Sequence, residues 1–298
     1  MTKLKFNSKN VKWLVLLFVV ILALSIPGYR WMKKTNHDRA QRSKSTLSPV
    51  IMVPGSSATI NRFDPLIKII NKNNPHPHSV LKIKVQKDNK LKFEGSINRG
   101  DLEPIIVIGF QNNHDGYTNI KRQARWLDVA FSQVSDTYKF NHFKAFGHSN
   151  GGLIWTYWLE HYYSDYSSEI KIKKLMTLAS PFNFDENSVS HRTQMLNDFI
   201  KYKKNIPKSL KVYSLLGGET LESDGIVPEE SVHAAKYIFQ GQVKSFTEMM
   251  VTGDKANHSD LTENKQIVQV MQEYIFNNKK GSIQNPNIIK KKVKNGDK

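Results

Sequence analysis

A chain of 298 residues with 39% hydrophobic content can bury one substantial core, and it shows neither two similar halves nor a short repeat. It contains no cysteine, which excludes disulfides, a thiol nucleophile and a thiolate metal site. The formal charge of +18 lies mostly at the ends, +7 in residues 1–34 and +6 in residues 279–298, so the middle carries only +5 and gives no case for a nucleic-acid partner.

Residues 1–34 read as a signal-anchor region. Trp13 to Pro27 is an uninterrupted apolar run behind Lys3, Lys5, Lys9 and Lys12, and with Gly28 and Tyr29 it reaches the lower limit for a membrane span, about 17 residues. The preceding lysines place the N-terminus in the cytoplasm and whatever follows outside. A cleaved signal peptide is the competing reading, because Ala23 and Ser25 are small residues at the spacing a signal peptidase reads. Against cleavage, basic residues resume at once with Arg30, Lys33 and Lys34, and a retained anchor is expected. Residues 35–48 are polar, lack an apolar stripe and read as a tether.

The folded domain is expected over residues 49–277. Val50 to Val53 reads as a buried strand ending in the loop Pro54-Gly55-Ser56-Ser57. Ile60 to Ile70 has helical spacing, stopped by Pro75-His76-Pro77-His78, whose histidines read as exposed loop residues and not as metal ligands. Val80 to Val85 and Leu91 to Phe93 alternate around Asp88-Asn89 and predict a hairpin inserted on the main sheet. Pro104 to Phe110 reads as a buried strand, and Ile120 to Tyr138 as a helix with Ala124, Leu127, Phe131 and Val134 on one side.

Next comes Gly147-His148-Ser149-Asn150-Gly151, a G-x-S-x-G between the apolar run 142–146 and the helix-like run 153–159. Strand, sharp turn on the serine and helix are what a nucleophile elbow requires. Gly147 and Gly151 remove side chains that would collide where strand and helix meet, and the Asn150 amide at a helix start can stabilise an oxyanion.

Beyond the elbow, strands are expected at 174–180, 211–216 and 245–251, with helices near 191–204, 229–239 and 261–276. Alternation of this kind predicts an α/β fold, a mostly parallel sheet with helices on both faces. Pro181 to Pro207 mixes Phe182, Phe184, Met195, Phe199 and Ile200 with polar residues, and reads equally as a small lid over the site or as an ordinary crossover helix. Residues 278–298 read as a basic, disordered tail without periodicity, a candidate contact for anionic lipid or wall polymer.

A serine hydroxyl is a poor nucleophile at neutral pH and needs a base, which in turn needs an acid to orient it. Asp224 lies in the Ser223-Asp-Gly225 turn after the second strand beyond the elbow, and His258 in the loop after the third. Asp254, four residues before His258, is the weaker candidate acid and reads as a turn residue. Asp260 suits the first turn of the last helix, His148 reads as packing or hydrogen-bonded structure that points away from Ser149, His191 and His233 as helix-surface or lid residues, and Glu219 and Glu222 as solvated loop carboxylates.

In these motifs the chain resembles the α/β-hydrolase superfamily, and more closely the cell-surface hydrolases of Gram-positive bacteria, a poorly characterised family with lipase-like elbows. The shared residues are Pro54-Gly55, Tyr117, Gln123, Trp126, Leu127, Gly147 to Gly152, Ser223 to Pro228 and Asn257-His258-Ser259, spanning about residues 49–277. The resemblance implies an α/β-hydrolase fold and a Ser149-His258-Asp224 triad, with the Ser56 amide joining that of Asn150 in the oxyanion hole. It departs from the wider superfamily at Pro54, where many members carry His. The expected activity is hydrolysis of a small-molecule or lipid carboxylic ester, without metal or cofactor; acyl transfer and thioester cleavage would use the same residues. A non-catalytic envelope binding protein that keeps the hydrolase shell is the alternative.

Overall fold

The computed structural model describes residues 8–72, 74–218, 223–276 and 289–291. It divides into two compact units, residues 1–45 and 46–298.

The first unit is a single helix, α1 (Ser8–Ser43), long and apolar enough to cross a membrane, with its side chains from Trp13 to Ile26 exposed. The stretch expected as a tether is therefore helical as far as Ser43. Lys33, Lys34, Arg39, Ala40, Gln41 and Arg42 are good helix formers, and neither glycine nor proline interrupts the run after Gly28. Pro27 sits inside α1, where it cannot donate one i to i−4 hydrogen bond.

The second unit contains β1 (Val50–Val53), α2 (Asp64–Lys72), β2 (Val80–Val85), β3 (Leu91–Gly95), β4 (Ile105–Phe110), α3 (Tyr117–Tyr138), β5 (His142–His148) and α4 (Asn150–His161). These are followed by β6 (Lys171–Leu178), α5 (Gln194–Tyr202), β7 (Lys211–Gly218), α6 (Glu229–His233), α7 (Ala235–Phe239), β8 (Ser245–Thr252), α8 (Lys265–Tyr274) and β9 (Ile289–Lys291). The nine strands form one sheet in the order β3-β2-β4-β1-β5-β6-β7-β8-β9. Pairing from β2 to β8 is parallel, and β3 and β9 close the edges antiparallel.

Helices cover both faces, which is why the central strands read as unbroken apolar runs. On β1, Ile51 and Val53 join a core with α3, α4, α5 and α7, while Val50 and Met52 join the opposite core with α2 and α8. The first core is rich in aromatics; Phe131 packs against Trp158 with ring centroids 4.7 Å apart. This is the α/β-hydrolase architecture expected from the sequence.

Several local expectations change. The hairpin is not an insertion on the sheet: β2 pairs parallel with β4 and belongs to it, leaving β3 as the edge. The first body helix starts at Asp64, later than its apolar spacing suggests, because Pro65 suits only a first turn. The last helix starts at Lys265, where the Asn264 side chain accepts from the amides of Gln266 and Ile267; Asp260 instead precedes the 3-10 turn Leu261–Glu263. His76 is exposed as expected, but His78 is buried and stacks on Phe276 with ring centroids 4.5 Å apart. Within the tail, residues 289–291 are extended and pair with β8, contrary to the structureless stretch expected there. Glu219, Glu222 and the rest of the tail, with its candidate polymer contact, lie outside the described residues.

Candidate active site

The C-terminal ends of β1, β5, β7 and β8 converge on one rim, the customary place for a ligand site in an open α/β sheet. β5 runs to His148 and α4 starts at Asn150, so the chain reverses on Ser149 alone, with φ 53° and ψ −126°. That conformation is sparsely populated for any residue with a Cβ and costs on the order of 1–3 kcal/mol. The turn is fixed from outside, since the Ser149 amide donates to the carbonyl of Leu178 at 2.8 Å.

The two elbow glycines serve different contacts. A Cβ on Gly147 would lie 2.4 Å from the Gly151 carbonyl carbon, at the strand-to-helix crossing. A Cβ on Gly151 would lie 2.0 Å from the carbonyl oxygen of Val53, so this glycine gives clearance to the neighbouring strand β1 and not to β5. The obstacle is backbone and cannot rotate away. Gly151→Ala is expected to destabilise the body by about 3 kcal/mol or more, a drop in melting temperature on the order of 10 °C. Thermal unfolding of the detergent-solubilised full chain followed by circular dichroism checks this; an unchanged melt would show that β1 and α4 can part freely.

Asp224 and His258 meet on the loops after β7 and β8. His258 Nδ1 donates to Asp224 Oδ2 at 2.8 Å, and the His258 amide donates to the Asp224 carbonyl, also at 2.8 Å. The other carboxylate oxygen, Oδ1, accepts from the amides of Val227 at 2.8 Å and Ile226 at 3.2 Å. Asp224 is 2% exposed, and the three bonds to its carboxylate leave that group no freedom to turn. With Nδ1 committed, Nε2 is the ring nitrogen that faces other chemistry. Asp254, the rival acid, is engaged through its carbonyl, which accepts from Asn264 Nδ2 at 2.7 Å.

Ser149 and His258 line one cavity of about 380 Å³, together with Ser56, Asn150, Phe184 and Ile226. As the first residue of α4, Asn150 has an N–H without an intrahelical acceptor. The Ser57 amide is taken by the carbonyl of Asn113 at 2.8 Å, whereas that of Ser56 meets no acceptor among the described residues. Of the segment read as lid or crossover, Pro181, Phe184 and Asp185 line the cavity, while α5 buries Met195, Leu196 and Phe199 as a crossover between β6 and β7.

His148 differs from its expected placement. It lines the cavity, with its ring centroid 5.0 Å from that of His258, and Nε2 donates to the His258 carbonyl at 3.2 Å. Burial, followed by the proximity of His258, holds its pKa well below the usual histidine range. His148 therefore stays neutral. His233 is half-buried between Glu229 and Glu248, whose hydrogen bond to Nδ1 does most to raise its pKa, and His191 is exposed ahead of α5.

Two further residues shape the cavity without having been singled out in the sequence. Arg62 lines it and donates through Nη2 to the Ser259 carbonyl, tying the loop after β1 to the His258 loop. Asp115 accepts from Asn150 Nδ2 at 2.7 Å, and its loop is held by Gln123 Nε2, which donates to the carbonyls of Asn112 and His114, each at 3.0 Å. A glutamine on the buried stripe of α3 was the available signal. Arg62 carried none.

A family model described as alpha/beta hydrolase of unknown function (DUF915) matches residues 37–278. A crystal structure of a Lactobacillus plantarum WCFS1 protein assigned as a cell surface hydrolase is 52% identical, superposes with a TM-score of 0.72, and covers 78% of this chain and 93% of its own. The product of the gene lin2722 of Listeria innocua is 27% identical, with a TM-score of 0.69, covering 80% of this chain and 96% of its own. No curated protein matches.

Proposed function

We propose, from the premise that the chain belongs to the DUF915 family of α/β hydrolases, that it is a membrane-tethered extracellular serine hydrolase of carboxylic esters. The observation that carries this reading is the His258–Asp224 hydrogen bond at the mouth of the cavity that also holds the strained Ser149. Ser149 Oγ attacks the ester carbonyl while His258 Nε2 takes its proton, and Asp224 stabilises the resulting imidazolium through Nδ1. The amides of Ser56 and Asn150 donate to the oxyanion, the intermediate collapses to an acyl-serine, and His258 returns the proton to the leaving alcohol. Water activated by the same imidazole then releases the acid.

The N-terminal apolar helix supplies the tether, and the L. plantarum relative's assignment to the cell surface supports placing the body outside. A cavity of about 380 Å³ near the lower end of the range for ligand sites favours a short acyl group. A fluorophosphonate probe is expected to label the full chain at Ser149 alone. Across p-nitrophenyl acetate, butyrate, octanoate and palmitate, kcat/KM is expected to fall by about tenfold or more beyond butyrate, because excess methylenes find no apolar pocket. No labelling of Ser149 would overturn the reading; labelling with a preference for palmitate would overturn only the acyl-length assignment.

A further inference from the structure

At the end of the sheet opposite Ser149 lies a second cleft, about 800 Å³ in volume. Its floor is the start of neighbouring parallel strands. Lys144 on β5 is level with Lys174 on β6, and Lys174 is level with Lys211 on β7. Residues in such register point to the same face, and the strands are about 4.8 Å apart. Three lysines therefore stand side by side across the sheet. Lys171, Lys173 and Lys244 add to the lining, so among the described residues the cleft carries six lysines against one lining carboxylate, Glu103, which pairs with Lys144.

Like charges directly opposite each other across strands weaken a sheet. The effect registers on Lys174, whose pKa is pushed down to about 8, first by burial and then by Lys144 and Lys211. Ser48 adds an independent sign: it lines the cleft, is 7% exposed, and its Oγ has no hydrogen-bond partner among the described residues. A buried hydroxyl left unsatisfied costs about 1–3 kcal/mol, and a bound oxyanion would accept from it. Among the described residues the lining holds no arginine and no Phe, Tyr or Trp. It therefore offers compact positive charge for phosphate oxygens, with neither a guanidinium fork for planar carboxylates nor a surface on which nucleic-acid bases could stack.

We propose that this cleft binds phosphate groups of a polyanion through the Lys144–Lys174–Lys211 row, with Ser48 donating from its wall. The proposal is independent of the reading of Ser149. Neither the family description nor the relatives' names assign such a site.

The test is acetylation of the full chain in phosphatidylcholine nanodiscs, with the rate at Lys174 and Lys211 read by mass spectrometry. Inorganic tripolyphosphate is expected to slow modification of these two lysines at least fivefold, with exposed lysines such as Lys92 unaffected, and the protection should fade as salt is raised. Protection by phosphatidylglycerol nanodiscs without tripolyphosphate would identify a lipid headgroup as the source, and protection by tripolyphosphate alone a soluble one. The Lys174→Gln/Lys211→Gln variant is expected to lose the rise in melting temperature that tripolyphosphate gives the wild type, while hydrolysing p-nitrophenyl acetate unchanged. Should that variant not fold, protection in the wild type decides alone. Unprotected lysines in both lipids would overturn the proposal, as would stronger protection by oligo(dT) than by tripolyphosphate at equal phosphate.

Discussion

Replacing Ser149 by alanine is expected to lower kcat/KM for p-nitrophenyl acetate by about 10⁴-fold or more, and to leave the melting temperature within a few degrees of the wild type. The loss is large because the nucleophile, not a supporting group, is removed. The melt is preserved because Ser149 at φ 53° spends its amide on the Leu178 carbonyl, a bond alanine keeps along with the backbone strain. A companion variant separates chemistry from strain. Ser149→Gly is equally inactive, yet glycine tolerates positive φ, so relief of on the order of 1–3 kcal/mol should raise its melting temperature above that of Ser149→Ala. Turnover by Ser149→Ala within tenfold of the wild type would sink the assignment of Ser149 as nucleophile. Equal melting of the two variants would show instead that the elbow stores no strain.

What the sequence disclosed about this site, and what it hid, divides along physical lines. Ser149, Asp224 and His258 were legible because each sits in a turn directly after an apolar strand run, and strand order carries such turns to one rim. The strands themselves were legible because burial on both faces removes polar residues from them. Contacts between loops were not. Nothing near Arg62 predicts that it reaches Ser259, 197 residues further on. His78 was misread because two flanking prolines suggest an exposed loop, whereas its ring stacks on Phe276.

Charge behaved in the same way. A balance of +5 over residues 35–278 suggested a mildly basic body, but a sum carries no positions. Lys144, Lys174 and Lys211 lie far apart in sequence and become neighbours through strand register, with Glu103 as the lining carboxylate among the described residues. The beginning of β6 was missed for a related reason. Lys171 and Lys173 are exposed around the buried Ile172 and Lys174 is half-buried, giving a half-wet start to a strand that is fully covered only from Leu175 to Leu178.

Asp224→Asn provides the second large effect, and it tests the order of the triad as well as its membership. The asparagine side chain fits the same space, and its oxygen can go on accepting from the amides of Val227 and Ile226, now met at 2.8 Å and 3.2 Å. Its NH₂ group then faces His258 Nδ1, and a donor cannot receive the Nδ1 proton. The imidazole must shift that proton to Nε2, the nitrogen that has to be bare to deprotonate Ser149. A fall in kcat of about 10⁴-fold with little change in melting temperature is therefore expected, and a fluorophosphonate should still label Ser149, but slowly. Asp224→Ala would behave differently, because it strands two buried amides at about 1–3 kcal/mol each and should lower the melting temperature as well as the rate. Asp254→Asn supplies the discriminating control. Its carbonyl, not its carboxylate, makes the bond to Asn264, so activity should stay within a factor of about two; a loss equal to that of Asp224→Asn would transfer the orienting role to residue 254.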